Sequence, residues 1–583
     1  MAMKTPYAHQ VPPLNASRLA RLITRFCLIL LLAGPSSAMA QQASEGPSPG
    51  ERIYREGLLP SGEPLTAIVA GDIPVDGRMF SCVNCHRRSG LGSVEGSLIT
   101  WPTTGKELFG PRRRTGAWHA AAERKGPGAV ERWSLPPQYQ AADARPAYTE
   151  ESLARLLREG IDSAGRVVSR AMPRFDIADD DLRILIDYLK GLSSAIDEGV
   201  NDQSIRFATV ITDGVPENDR RAMLEVLQAH IDARNTQTRP YLRRATSGPF
   251  YKTEKFTAYR KFELDVWELE GDAGTWRQQL EKHYSEAPVF AMLGGIADGS
   301  WQPIHDFCES RELPCLLPIT EQPVVSDTDW YTLYFSRGLH EEGETAARFL
   351  NGRHEGERKR RVVQFYRPGS AGAQAAAAFS QHWSGDIVDE SLPPKSGDAV
   401  DTGWLEKVSG ENDSILLLWL DESDLAPALE RLETSNTEDG PPLMISATLA
   451  GDAGLAGIPR ALRERLFITY PRSLAADSQT ERMVLRRWLK ARGIEETNLD
   501  IQARMYFLGW VLPGAISYMR SEVYRDYFLE GFEMMRDQDY AIAVYPRLSF
   551  GPGQRYASKG CYIVQLDDGE EPRLVKRSNW IIH

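Results

Sequence analysis

Long apolar runs are missing from most of this chain. Beyond residue 40 no stretch approaches the roughly eighteen apolar residues that a spanning helix requires, which excludes a membrane span from the mature protein. Basic residues are outnumbered, 68 Lys and Arg against 80 Asp and Glu, for a net charge of −12. That balance argues against nucleic acid as a partner. There is no Gly-x-Ser-x-Gly elbow, no phosphate-binding glycine loop and no metal-binding histidine pair, so no catalytic constellation is legible and the chain reads as a non-enzyme. Internal repeats and low-complexity tracts are also absent.

The N-terminus has what the rest lacks. Arg18, Arg21 and Arg25 precede a short apolar core, Phe26 to Ala33, and a small-x-small site at Ala38-Met39-Ala40. This is the pattern of a secretory signal over residues 1–40, with Gln41 as the mature start, or else of a retained anchor. The signal holds four basic residues and no acidic ones, so its removal takes the net charge from −12 to −16. Residues 41–50 (QQASEGPSPG) form a polar linker. A second boundary falls near 193–204, where a helical pattern gives way to a strand-like run. The domains expected are 51–195 and 205–583.

Cysteine is scarce, and its placement is informative. Of six, Cys27 lies in the signal core and Cys561 stands alone. Cys308 and Cys315 are seven apart and are expected to close a local disulfide if the compartment is oxidising. Cys82 and Cys85 belong to Cys82-Val83-Asn84-Cys85-His86. Cys-x-x-Cys-His is the attachment signature of a c-type haem: two thiols bind one porphyrin and the next histidine lies under its iron. A zinc site would need a second pair of ligands, and the next cysteine is Cys308. A thioredoxin-type pair would need a strand and helix around it. Neither context is present.

Residues 51–195 resemble a class I c-type cytochrome. Gly50-Glu51-Arg52-Ile53-Tyr54 opens a short helix. Thr149 caps a helix that stops at Gly160, and Asp179 to Leu192 repeats Leu182, Leu185, Ile186 and Leu189 at helical spacing. The resemblance implies an all-α domain whose closing helix packs on the first. It also implies one covalent haem c held by Cys82 and Cys85, with His86 and Met172 (in Ala171-Met172-Pro173) as axial iron ligands. A thioether opposite imidazole raises the reduction potential and leaves no open iron position. Residues 101–145 are long for this family, and His119 within them reads either as an alternative ligand or, being a lone histidine, as a structural residue.

From Ile205 strand-like runs alternate with helical ones: 206–212, 261–268, 288–293, 361–366 and 414–420. Such alternation predicts parallel sheets with helices on both faces. The order Val289 to Gly295, a helix, then Leu313 to Pro318 resembles the type I periplasmic binding proteins of branched-chain amino-acid uptake. That resemblance implies a two-lobed α/β domain over 205–583. By position Ser300 and Thr320 match the loops that grip a ligand's charged end, for a solute such as an amino acid or small organic acid. Each also reads as a turn or capping residue.

Together the resemblances imply a periplasmic electron-transfer cytochrome that serves a dehydrogenase through redox partner proteins, with a binding-protein-like module for docking or sensing. The alternative is a solute-binding or redox-sensing protein with a regulatory haem.

Overall fold

The computed structural model describes residues 46–95, 98–112, 144–247, 260–353, 361–393, 404, 414–434, 440–519, 522–535 and 538–582. The signal over 1–40, the first half of the 41–50 linker and most of the 101–145 insertion with His119 lie outside them. Among the described residues no helix is long and apolar enough to cross a membrane.

In the small domain, helix Pro49–Glu56 crosses helix Asp179–Gly191. The crossing is close because Gly50 sits in it: a Cβ there would lie 2.6 Å from Tyr188 Cβ. Ile53 and Tyr54 from the first helix join Leu182, Leu185, Ile186 and Leu189 in one core. Helix Glu150–Glu159 begins where expected. The Thr149 hydroxyl accepts from the Ser152 amide, the Ser152 hydroxyl accepts from the Thr149 amide, and Gly160 ends the helix at φ +72°.

The small domain is not all-α. Strands β1 (Thr66–Val69) and β2 (Ile73–Asp76) form an antiparallel hairpin. A second hairpin pairs β3 (Ser93–Glu95) with β4 (Leu98–Thr100), and β5 (Arg174–Asp176) adds to the free edge of β1. Gly71 and Asp72 turn the first hairpin at positive φ. Strands of three or four residues are too short to show a two-residue period, which is why the sequence pattern passes over them.

The remainder is two α/β lobes. Lobe 1 has a parallel sheet in the order β10-β9-β8-β6-β7, from β6 (Ser204–Thr212), β7 (Lys261–Leu269), β8 (Ala291–Leu293), β9 (Cys315–Leu316) and β10 (Thr332–Leu333). Lobe 2 begins with β11 (Arg361–Tyr366), β12 (Ile387–Ser391), β13 (Ser414–Leu418), β14 (Leu443–Ser446) and β15 (Leu466–Tyr470), all parallel. It ends with antiparallel β16 (Gly560–Leu566), β17 (Leu574–Lys576) and β18 (Ile581–Ile582). The central strands are buried along their length, as a sheet covered on both faces requires.

The chain crosses between lobes three times. It leaves β10 for the helix Leu339–Arg353 of lobe 2, returns after β15 to the helix Gln479–Lys490, and leaves Ala557 for β16. The first and third crossings run side by side: the Tyr334 amide donates to Arg555 O at 2.8 Å and the Ala557 amide to Tyr334 O at 3.0 Å. On the return the long apolar helix Leu499–Met519 fills the lobe 1 core. Residues 49–583 form one compact unit.

Candidate functional site

The attachment motif lies on a single helical turn, Val83–His86, entered from the 3₁₀ turn Gly77–Phe80 that follows β2. Cys82 and Cys85 are both thiols rather than a disulfide, and burial, with Cys85 adding, pushes the Cys82 thiol up to about 12. The His86 Nδ1 lies 2.8 Å from Trp101 O. A carbonyl only accepts, so Nδ1 carries the proton and the Nε2 lone pair is left for a ligand. Burial also lowers His86 below the ordinary imidazole range, which favours the neutral ring that a metal needs. On that observation the motif fits a covalently attached haem.

Met172 is half-buried in the turn before β5 and packs on the same core as Cys82 and Val83. It lines a small pocket with Ile68, Val69, Ala70 and Val168. The register sets Arg174 beside Ile68, so Met172 stands at the hairpin end of the sheet. The chain leaves for Cys82 from the other end. Apolar side chains stand exposed nearby in the sequence: Ile73, Met79, Phe80, Trp101 and Val167.

The residues after His86 are held from both domains. Arg87 has φ 68° and ψ 169°, a region that only glycine enters without strain, at a cost of about 1–3 kcal/mol. From the small domain, the Tyr54 hydroxyl donates to Arg87 O at 2.7 Å and the Ser193 hydroxyl to Ser89 O at 2.7 Å. From lobe 1, helix Arg525–Glu533 presents Asp526, Glu530 and Glu533 on one face. Glu530 accepts the Ser89 amide at 2.9 Å and the Ser89 hydroxyl at 2.7 Å. Asp526 pairs with Arg55 at 3.0 Å and Arg88 at 3.6 Å, and Glu533 with Arg87 at 3.7 Å. Arg88 also covers the Trp330 ring, 4.6 Å from its centroid. Burial pushes the Glu530 carboxyl up to about 8 against the lowering effect of the two Ser89 donors.

Ser300 and Thr320 follow the carboxyl ends of β8 and β9, where open α/β sheets bind ligands. Each uses its oxygen locally. Ser300 Oγ accepts from the Gln302 amide at 3.2 Å and Thr320 Oγ1 from the Gln322 amide at 3.1 Å. The charged groups near the crossings are neighbours that sequence reasoning missed. Glu321 pairs with Arg504 at 2.8 Å and Arg472 at 3.6 Å, and Arg472 with Asp500 at 3.3 Å. Burial raises Glu321, but the two guanidiniums outweigh it and hold the carboxylate below its usual range. Arg504 lies against Phe335 and Tyr545.

Two buried carboxyls, Glu341 and Glu342, open the first lobe 2 helix. Thr469 at the end of β15 donates its hydroxyl to Glu342 at 2.5 Å, and the Arg337 amide donates to Glu341 at 3.2 Å. Burial raises Glu341 to about 8 and Glu342 to about 7. In the sequence they read as ordinary acids in a first helical turn, with no signal of burial.

The disulfide expected between Cys308 and Cys315 is not formed. Both are buried thiols in contact, Cys308 on the helix Gln302–Ser310 and Cys315 on β9. The Cys308 thiol also approaches Met292 Sδ at 3.6 Å, inside an apolar cluster where it packs as a small hydrophobe.

No protein-family model and no curated protein matches the chain. Solved structures are similar to it. One is a fatty acid ABC transporter substrate-binding protein from Thermomonospora curvata, 14% identical, covering 67% of this chain and 95% of that one, with a TM-score of 0.44. An ABC transporter substrate-binding protein from Sphaerobacter thermophilus is 15% identical over 65% of this chain and 98% of its own, with a TM-score of 0.48. A branched chain amino acid ABC transporter from Thermus thermophilus with bound valine is 12% identical over 65% and 97%, with a TM-score of 0.45.

Proposed function

We propose that this chain is a periplasmic redox-sensing protein in which one haem c, on Cys82, Cys85 and His86, reports to a two-lobed body of the solute-binding type. The haem supplies one-electron oxidation and reduction. The observation that carries the reading is the seat of residues 87–89 on lobe 1: the segment next to the iron ligand bonds directly to the helix Arg525–Glu533. A redox-dependent change at His86 then acts directly on lobe 1. The solute proposed is an amino acid or small organic acid, with Ser300 and Thr320, in the loops after β8 and β9, as the hydroxyls offered to its charged end.

The test is a thermal-shift screen of amino acids and small organic acids on the full chain, matured where c-type haem is attached, in ferric and ferrous forms. Stabilisation that differs between oxidation states supports sensing, because a ligand shifts stability only through the state it binds. Equal shifts in both states, or none, count against it.

A second reading is electron transfer to or from a periplasmic dehydrogenase. Met172 favours it, because its thioether lies on the same small core as Cys82. As sixth ligand it would hold a high potential and close the iron to other chemistry. Met172→Ala should abolish the long-wavelength ferric charge-transfer band of thioether ligation. A band unchanged in the variant removes Met172 from the ligand set.

A further inference from the structure

Two domains meet at the residues that follow His86, and the contact is built for holding. The helix Arg525–Glu533 sets three carboxyl groups at positions i, i+4 and i+7 on one face, Asp526 against Arg88, Glu530 against Ser89 and Glu533 against Arg87. In the middle Glu530 is 2% exposed and Ser89 is fully buried. Ser89 Oγ accepts the Leu91 amide at 3.2 Å, which directs its own proton to Glu530. Both Glu530 oxygens are thereby engaged by one residue. The helix is itself anchored. Arg525 donates to Val289 O at 2.7 Å and Phe290 O at 3.1 Å, just before β8, and its amide donates to Asp197 at 2.6 Å.

This arrangement explains how Arg87 stays in a strained conformation one residue from the iron ligand. Its carbonyl is fixed by Tyr54 on one side, and Ser89 is fixed by Glu530 on the other. Further along, the Thr103 amide donates to Gly90 O at 2.7 Å, and Gly92 returns its amide to His86 O at 3.1 Å. Of these ties, only those of Glu530 and its neighbours come from the lobed body.

We propose that lobe 1 is the seat of the haem's proximal side, and that Glu530 and Ser89 are positioning residues that hold His86 through the segment 87–89. The inference rests on the haem reading above. It places the control of the iron's environment in a helix more than four hundred residues downstream of the attachment motif.

The experiment uses the full chain with haem attached. Glu530→Ala, Ser89→Ala and the near-isosteric Glu530→Gln are compared with native protein by spectroelectrochemical titration and by amide hydrogen exchange across residues 87–92. Lys106→Ala is the control, because Lys106 pairs with Glu522 at the interface rim and is 66% exposed. Both alanine variants should shift the midpoint potential and speed exchange by about two- to tenfold, the factor implied by losing a hydrogen bond of ordinary strength. Glu530→Gln, which keeps one acceptor, should fall between them and native, and Lys106→Ala should match native. Folded, haem-bearing alanine variants with native potential and native exchange overturn the proposal and leave the haem reading standing. Native protein that shows no covalent haem in a pyridine haemochrome assay removes both.

Discussion

At the scale of the residue, this protein's unusual groups are buried acids. Glu341, Glu342 and Glu530 all sit above the ordinary carboxylate range because burial penalises their charge. A carboxyl with a higher pKa in the folded chain than in the unfolded chain binds its proton more tightly when folded. Its contribution is fully present below the unfolded value and is lost as pH rises through the folded one. For Glu342 that window runs from 4.5 to about 7. Glu342→Gln mimics the protonated form, so its melting temperature should gain on the native protein's as pH rises from 5 to 8. Melting curves whose separation stays constant over that range would refute the assignment. Neither Glu341 nor Glu342 was legible as special, because burial is a property of the three crossings that converge on them. The motif of Cys82, Cys85 and His86 is visible in the sequence because its residues are adjacent. The spacing of Cys308 and Cys315 marks two side chains that do meet, but spacing alone does not say whether they join as a disulfide.

At the scale of the element, helices announced themselves and short strands did not. Thr149, Gly160 and the run Leu182 to Leu189 mark helix ends and faces at single-residue resolution. β5 is three residues long and carries no pattern, yet it brings the turn with Met172 beside β1. The crossing of Pro49–Glu56 on Asp179–Gly191 depends on Gly50. Gly50→Val would set its Cβ 2.6 Å from Tyr188 Cβ and 2.8 Å from Ile184 O. Backbone does not yield there, so the variant should lose about 1–3 kcal/mol in urea unfolding. A loss under a few tenths of a kcal/mol would mean that the helices do not pack this closely.

At the scale of the whole molecule, the alternation of strands and helices after residue 205 predicts parallel sheets, which both lobes contain, while the division into two lobes was implied by the family resemblance. What it does not predict is the attachment of the small domain. An acid on a helix reads as solvated surface, and only the fold shows Asp526, Glu530 and Glu533 turned toward Arg87, Arg88 and Arg55. Asp526→Ala removes a carboxylate shared by Arg55 and Arg88 while leaving Glu51 and Glu312 to Arg55. The expected loss is about 1–3 kcal/mol, placed at the junction. Calorimetry of the full chain should then show an early transition for the small domain ahead of the lobes. A trace that keeps the native shape would show that the junction does not depend on this residue.

The three crossings redraw the mechanical map of the chain. The boundary read near residue 200 separates two folding patterns, but Arg55, Arg87, Arg88, Ser89 and Lys106 all bond across it to lobe 1. A hinge motion at the crossings would therefore carry the small domain along with lobe 1 as cargo and leave lobe 2 as the moving arm. A spin label on lobe 2 would report that swing as a changing distance to any label in the small domain. A label on the helix Arg525–Glu533 would keep its distance throughout.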